Sequence, residues 1–262
     1  GIVAFCGNTL SMENCVLENG VNTAAGSQSK LYGGAVFIGA RGGSERVKAE
    51  FVNCTFRQNS SLNGGAIAVV KGASSPMPVD LVVKGSEFTG CAAERTGTNG
   101  GVGGAIYLET NGAASTAAIA DSRFEGNTAK MSGGAAYFDK GNLAVTNTDF
   151  ITNTSAAMGG AICFSSSTGT ISVDGGRMQG NKAGANGEFG GGALCVSYGK
   201  ECRVQGTVFE GNEAEGSGGA LYAGGLSASA VISNVQFLNN TSTKKNGGAA
   251  DIQDDLLRCL PG

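Results

Sequence analysis

Apolar residues recur at every second position in short stretches of this chain. Each stretch leads into a large apolar residue, which we call the anchor, and the anchor opens a Phe-x-x-Asn motif or a close variant of it. The residue five positions before this anchor is apolar in every copy, and the residue two positions before it is small. Alternation with a period of two is typical of β-strands, so we predict a strand with both positions facing inward. The anchors are Leu17, Phe56, Phe88, Phe124, Phe150, Met178, Phe209 and Phe237.

A second apolar pattern follows a Gly-Gly-Ala motif, which begins at residues 33, 64, 103, 133, 159, 191, 218 and 247. The first and third residues after the motif are apolar in every copy. The residue between them varies from Ala68 through Tyr107 and Cys163 to Asp251. We therefore predict a second strand, whose uniform positions point inward and whose mixed position points outward.

The interval between successive Gly-Gly-Ala motifs ranges from 26 to 39 residues. A fixed motif with spacers of variable length indicates a solenoid. Each repeat is too short for a βαβ unit and shows no helical period, so like strands must stack on like strands, in parallel and in register, about 4.8 Å apart. We predict an all-β protein: a single-stranded, right-handed parallel β-helix of about eight turns, with about three short strands in each.

The repeated residues have structural roles in such a fold. We expect the aromatic anchors to fill the bore. We expect the Asn to form a corner, because Asn tolerates left-handed backbone and stacked amides hydrogen-bond along a column. The paired glycines supply the next bend. The predicted structural residues are Phe56, Phe88, Phe124, Phe150, Phe209 and Phe237; Asn59, Asn127, Asn153, Asn181, Asn212 and Asn240; and Gly64, Gly65, Gly133, Gly134, Gly218 and Gly219.

One outward column supports this register independently. The residue just before the anchor is Glu87, Arg123, Asp149 and Arg177 in consecutive turns. In-register stacking places these alternating charges side by side, where like charges would repel.

Length variation is confined to two corners of the repeat. The variable segments are 20–32, 92–102 and 182–190 before Gly-Gly-Ala, and 39–47, 70–79 and 109–116 after the strand that follows it. We expect these segments to be surface loops that carry recognition.

Composition limits the number of domains and the class of partner. No break interrupts the repeat in 262 residues, so we predict one domain over 1–262; because the chain opens inside a repeat, we expect it to be a piece of a longer protein. The net charge of −3, without a basic cluster, argues against nucleic acid. No apolar run approaches the roughly 18 residues of a membrane span. Eight cysteines and no histidine favour an oxidising, surface location.

Cys163 and Cys195 share one predicted outward position in consecutive turns. Strand spacing puts their Cα atoms about 5 Å apart, inside the disulfide range of about 4.4–6.8 Å. Parallel neighbours hold their side chains side by side, which is not ideal for a disulfide, so a bond and two free thiols both remain open. Cys15 and Cys54 match in an inward column and are expected to be stacked thiols.

Parallel β-helices also include polysaccharide lyases and hydrolases, whose sites use Asp, Lys, Arg and often His on an outer face. This chain has no His, and Asn147-Thr-Asp149, which is similar to a pectinase triplet, belongs to the charged column. The best outward cluster is Tyr107, Glu109, Tyr137 and Asp139. Its two carboxylates could bind Ca²⁺ or share a proton, and its tyrosines could stack on a sugar. A solvated acidic patch beside an aromatic pair is the simpler interpretation.

The combination of the two motifs resembles the repeats of the polymorphic outer-membrane proteins of chlamydiae. It is carried by Phe56 to Asn59 with Gly64-Gly-Ala-Ile, by Phe124 to Asn127 with Gly133-Gly-Ala, and by Phe209 to Asn212 with Gly218-Gly-Ala-Leu. The chain departs from the pattern at Cys91, which replaces Asn, and at Met178, which replaces Phe. In that family the passenger domain is autotransported to the cell surface and acts as an adhesin, so the resemblance implies surface display and adhesion.

We therefore expect a non-catalytic adhesin or structural scaffold at the cell surface, with no cofactor. Its partner would be a host-cell, matrix or neighbouring surface protein, or a glycan. Exposed strand edges at the two ends would favour end-to-end or lateral self-association. A carbohydrate-active enzyme and a sugar- or calcium-binding module remain as alternatives.

Overall fold

The structure, a computed structural model, is a parallel β-helix, as the sequence predicts. It describes residues 1–22, 31–39, 46–70, 78–96, 99–110, 114–184, 189–253 and 257–260. Every regular element in these residues is a β-strand. Each turn of the helix, which we call a coil, passes through four parallel sheets that run along the helix axis.

The first and second sheets carry the longer strands. The first sheet, which follows Gly-Gly-Ala, contains Val3–Phe5, Val36–Gly39, Ile67–Val70, Ile106–Glu109, Ala136–Asp139, Ile162–Ser165, the first part of Leu194–Gln205, Leu221–Gly224 and Ala250–Gln253. The second sheet contains Thr9–Glu13, Val47–Val52, Val79–Lys84, Thr116–Ala120, Asn142–Thr146, Thr170–Asp174, the second part of Leu194–Gln205, Leu226–Ser233 and Leu257–Leu260.

The third and fourth sheets have eight strands each, which confirms the predicted number of turns. The third sheet holds the anchors: Val16–Glu18, Thr55–Arg57, Glu87–Thr89, Arg123–Glu125, Asp149–Ile151, Arg177–Gln179, Val208–Glu210 and Gln236–Leu238. The fourth sheet contains Val21–Asn22, Ser60–Ser61, Ala92–Ala93, Thr128–Ala129, Thr154–Ser155, Lys182–Ala183, Glu213–Ala214 and Thr241–Ser242. Its two-residue strands are too short to show a period, so the predicted three strands per turn become four.

The bore is packed as the apolar columns predict. Phe56, Phe88, Phe124 and Phe150 stack with ring centroids 4.5–4.9 Å apart. Phe209 and Phe237 stack at 5.1 Å, and buried Met178 pairs in register with Phe150 on one side and Phe209 on the other. The charged column is also in register, with Arg123 paired to Glu87 and Asp149. Its guanidinium lies 3.9 Å from the Asp149 carboxylate, but both groups are exposed and add little stability.

A ladder of asparagine amides runs along one corner of the bore. Asn153 Oδ1 accepts hydrogen bonds from the backbone N–H and from Nδ2 of Asn127, at 3.0 and 2.9 Å. Asn127 Nδ2 also donates to the Phe88 carbonyl at 3.0 Å. The same pattern continues from Asn153 through Asn181 and Asn212 to Asn240. The predicted stacking of amides is confirmed.

The predicted backbone of this corner is wrong. The ladder asparagines do not have positive φ; the residue before each one does. Those left-handed residues are Asn19, Gln58, Gly90, Gly126, Thr152, Gly180, Gly211 and Asn239. The Asn itself is held by its amide hydrogen bonds, so the bend falls on its neighbour. A second left-handed corner lies three residues before the anchor, at Asn14, Asn53, Gly85, Asp121, Asn147, Gly175, Gly206 and Asn234.

The coils differ in length where the sequence predicts, between the fourth and first sheets and between the first and second. Within 92–102 a small antiparallel hairpin pairs Arg95–Thr96 with Asn99–Gly100. Much of the predicted loops, residues 23–30, 40–45, 71–77, 97–98, 111–113 and 185–188, lies outside the described residues.

Candidate functional site

The structure brings the predicted cluster together on the outer face of the first sheet. Tyr107 pairs in register with Tyr137, and Glu109 pairs with Asp139. The two rings stack with centroids 5.9 Å apart and planes 27° apart. Tyr107 Oη donates to Glu109 Oε2 at 3.1 Å. The juxtaposition follows directly from the parallel register, since each pair occupies one column in consecutive coils.

The aromatic stack is longer than the predicted cluster. Tyr32 stacks on Tyr107 at 5.9 Å with planes 6° apart, and on Phe37 at 6.2 Å. Phe37, Tyr32, Tyr107 and Tyr137 therefore form one line of rings, which we call the tyrosine stack. The sequence did not point to Tyr32, because it precedes Gly33 in a position that is Asn63, Val102 or Ser132 in other coils and shows no apolar pattern.

This column points away from the bore, as predicted, but most of its members are covered and do not face solvent. Ala68, Cys163 and Cys195 are fully buried, and only 9% of Tyr107 is exposed. The left-handed first glycine of each Gly-Gly-Ala folds the chain back close to the column. A Cβ on Gly64 would lie 3.0 Å from Ala68 Cβ, and one on Gly133 would lie 3.1 Å from Tyr137 Cβ. The result is a thin apolar layer outside the bore, with Glu109 and Asp139 at its half-buried rim.

Burial makes the tyrosine phenols still weaker acids than usual. Burial raises the pKa of Tyr107, and the negative charge of Glu109 raises it further. Burial also raises the pKa of Tyr137, with smaller contributions from Cys163 and Asp139. The phenols are therefore neutral near pH 7 and act as hydrogen-bond donors, as Tyr107 does toward Glu109.

The carboxylate pair is not part of a larger cluster of metal ligands. Within the described residues, no group of three or more His, Cys, Asp or Glu side chains is placed to hold a metal ion. In the same part of the chain, no helix is long and apolar enough to cross a membrane.

The predicted cysteine pair lies side by side but is not oxidised in the structure. Cys163 and Cys195 are in-register neighbours, and both are free thiols. The contact with the Cys163 thiol, followed by burial, raises the pKa of Cys195. Cys15 and Cys54 are also free and stacked, with Cys54 buried in the bore. The disulfide is therefore not formed here, and a thiol pair packed into the outer apolar layer takes its place.

Residues 206–224 match the family model of the Chlamydia polymorphic membrane protein repeat. The matched segment contains Phe209 to Asn212 and Gly218-Gly-Ala-Leu, so the resemblance carried by the two motifs is confirmed in this coil. No curated protein and no solved structure matches the chain.

Proposed function

We propose that this chain is a non-catalytic surface protein that binds a partner through its corner loops and outer faces. The repeat matched at 206–224 is named for a membrane protein family, which supports association with an outer membrane or cell surface. The partner would be a host-cell, matrix or neighbouring surface protein, or a glycan.

The observation that carries this proposal is how the repeated residues are used. The anchors fill the bore, the ladder amides bond to one another, and the paired glycines bring neighbouring coils into contact. Repetition is thereby explained by stacking, without a role in contact with a partner. The segments that differ between coils lie at the corners, where a rigid scaffold presents loops to other molecules.

A deletion that restores the regular coil length tests the role of one loop. Eleven residues separate Cys91 from Gly103, whereas five separate Asn127 from Gly133. Removing residues 95–100 leaves Glu94 next to Gly101, and the same five-residue spacer results. The Gly101 carbonyl already accepts a hydrogen bond from Met131 N–H at 2.7 Å. In the next coil the Met131 carbonyl accepts the same bond from Ala157 N–H, so Gly101 is already placed as in a coil of regular length. We expect the deletion variant to melt within a few degrees of the parent chain, because surface loops tolerate length changes, and to bind cells or matrix more weakly.

The matched control removes stability and leaves every loop in place. Phe124→Ala opens a cavity in the stack and should cost about 3–5 kcal/mol of folding stability. Its binding should fall only in proportion to the unfolded fraction. Two further variants complete the test: deletion of 185–188, which leaves five residues between Asn181 and Gly191, and the milder substitution Phe124→Leu. If both deletion variants bind normally while a folded Phe124→Leu variant does not, the repeat motif itself is the ligand site. Release of reducing ends from a panel of polysaccharides would instead establish catalysis.

A further inference from the structure

The coil that runs from Asn181 to Gln205 departs from the repeat at two places, and each departure presents an aromatic side chain. Nine residues separate Asn181 from Gly191, four more than between Asn127 and Gly133, and Phe189 follows this insertion. A β-bulge then shifts the register, so that Phe164 pairs with Val196 but Ser165 pairs with Tyr198. Bulges redirect side chains and are frequent beside binding sites.

Both aromatic residues are exposed, although leaving apolar ring surface in water is unfavourable for folding. Phe189 is 37% exposed and Tyr198 is 56% exposed, and among the described residues no other aromatic side chain is classed as exposed. The remaining exposed large apolar residues are aliphatic: Ile2, Val16, Val21 and Leu238. Coil stacking requires neither the insertion nor the β-bulge, yet both expose an aromatic side chain in the same coil.

Each of the two rings packs against the next coil. The Phe189 ring packs against the ring of Tyr222 at 5.0 Å. The hydroxyl of Tyr222 lies over Gly224, where a Cβ would come within 2.5 Å of it. The Tyr198 ring lies over Gly225, 3.0 Å from the position of a Cβ. We call Phe189, Tyr198, Tyr222, Gly224 and Gly225 the aromatic shelf.

Hydrogen-bonding groups border the shelf on the side of the following coil. Tyr222 Oη donates to Gln253 Oε1 at 3.3 Å, and Gln253 Nε2 donates to Asp251 Oδ2 at 3.3 Å. The Gln253 side chain is solvent-exposed, and Asp251 is half-buried. The shelf thus combines exposed ring surface with an amide and a carboxylate at its border.

We propose that the aromatic shelf is a glycan-binding site. The electron-rich face of an aromatic ring attracts the polarised C–H groups of a sugar, and the hydroxyl groups of the sugar can exchange hydrogen bonds with Gln253 and Asp251. A protein hot spot would instead centre on a fully desolvated pocket, whereas these rings are partly exposed and bordered by the exposed Gln253 and the half-buried Asp251. The assignment rests on the proposed function, because it names the class of partner that one face of the scaffold takes.

The first experiment applies the chain to a printed array of neutral, sialylated and sulfated oligosaccharides. Affinity for the best-bound sugar is then measured by titration calorimetry for Phe189→Ala, Tyr198→Ala and Tyr198→Phe. Leu238→Ala is the matched control, because Leu238 is 42% exposed and belongs to the third sheet. We expect about a tenfold loss for each ring removed, near-normal binding by Tyr198→Phe, and no change for the control. Absence of any bound sugar, or a bound sugar unaffected by both alanine variants, overturns the proposal.

The second experiment separates this proposal from the proposed function. Adhesion of the same variants is measured on cells before and after glycosidase treatment. Adhesion that falls with both the glycosidase and the alanine variants supports the glycan site. If adhesion survives both, the shelf proposal fails while the adhesive function stands. If the variants lose adhesion but the glycosidase has no effect, the shelf binds a protein and the glycan assignment is wrong. If the parent chain does not adhere at all, the proposed function fails and the array alone decides the shelf.

Discussion

Gly133 and Gly134 are adjacent glycines that are needed for different physical reasons. Gly133 has φ +68°, a left-handed conformation that costs about 1–2 kcal/mol for other residues. Gly134 does not have positive φ, but a Cβ there would lie 2.0 Å from the Gly160 carbonyl oxygen of the next coil. The first glycine makes the bend, and the second lets consecutive coils approach to hydrogen-bonding distance.

Gly126 and Gly134 separate these two effects. Gly126 has positive φ without a close neighbour, and Gly134 has a close neighbour without positive φ, so we expect unequal costs for replacing them. Gly126→Ala places a methyl group in open space at φ +61°, so we expect a loss of only about 1–2 kcal/mol. Gly134→Ala forces the Gly160 and Thr154 backbones away and should cost more than about 4 kcal/mol. Urea unfolding of both variants measures the free energies. Equal losses would show that coil-to-coil contact is not what selects the second glycine.

At the scale of residues, the sequence shows which residues recur but not why each one is needed. The motif shows that Gly133 and Gly134 recur, but the clash that excludes a side chain at Gly134 comes from a residue one coil away. Thr152 is a second case. It occupies the left-handed corner at φ 52°, where other coils have Gly, Asn or, once, Gln58, and this conformation is unfavourable for a β-branched residue. The motif leaves that position unspecified, so the bend could not be assigned to it.

The asparagine ladder is the element that joins coils inside the bore, and it has one gap. Cys91 occupies the ladder position between Asn59 and Asn127. Its N–H still donates to Asn127 Oδ1 at 2.9 Å, but the Asn59 amide reaches only its sulfur, at 4.0 Å. Sulfur is a weak acceptor, so the ladder is interrupted between these coils.

Filling the gap should stabilise the protein, and making a new gap should destabilise it. Cys91→Asn supplies an amide oxygen to Asn59 and should gain about 1 kcal/mol. Asn153→Ala removes the acceptor of the buried Asn127 N–H and one of the two acceptors of Asn127 Nδ2, and should cost about 3 kcal/mol or more. Thermal and urea unfolding of the two variants provide the measurement. A destabilised Cys91→Asn variant would mean that the thiol is fitted to its site and that the ladder does not govern this corner.

At the scale of elements, the register between strands could be predicted from the sequence, but the layer that covers the first sheet could not. Uniform apolar columns predict that Tyr107 lies beside Tyr137 and Glu109 beside Asp139, and the structure confirms both pairs. Their burial depends on the segment before Gly-Gly-Ala, which folds over the first sheet. Residues there, such as Tyr32 and Phe189, follow no column, so neither the tyrosine stack nor the aromatic shelf could be read from periodicity.

The whole molecule is close to a one-dimensional stack: the strand pairings of the described residues join each coil to the next, and few side-chain contacts, such as that of Tyr32 with Tyr107, reach one coil further. Its stability is therefore close to a sum of coil and interface contributions. The packing shows the consequence along the axis. Phe124 in the middle is fully buried, whereas Met12 near one end and Phe237 near the other are half-buried. In residues 1–262 the first and last coils each pair with one coil and the others with two, so fewer dispersion contacts and ladder hydrogen bonds hold them.

Hydrogen exchange should therefore vary along the axis of this 262-residue chain. Strands of the third sheet give a matched series, because Val16–Glu18, Arg123–Glu125 and Gln236–Leu238 have the same length and position in the coil. We expect backbone amides in the terminal strands to exchange at least about tenfold faster than those in Arg123–Glu125, since local opening at an end breaks one interface and opening in the middle breaks two. Mass spectrometry of the exchanging protein measures the gradient. Asn153→Ala should speed exchange most strongly in the coils next to residue 153. Equal protection in all three strands, lost together at a single denaturant concentration, would instead mean that the eight coils open as one cooperative unit.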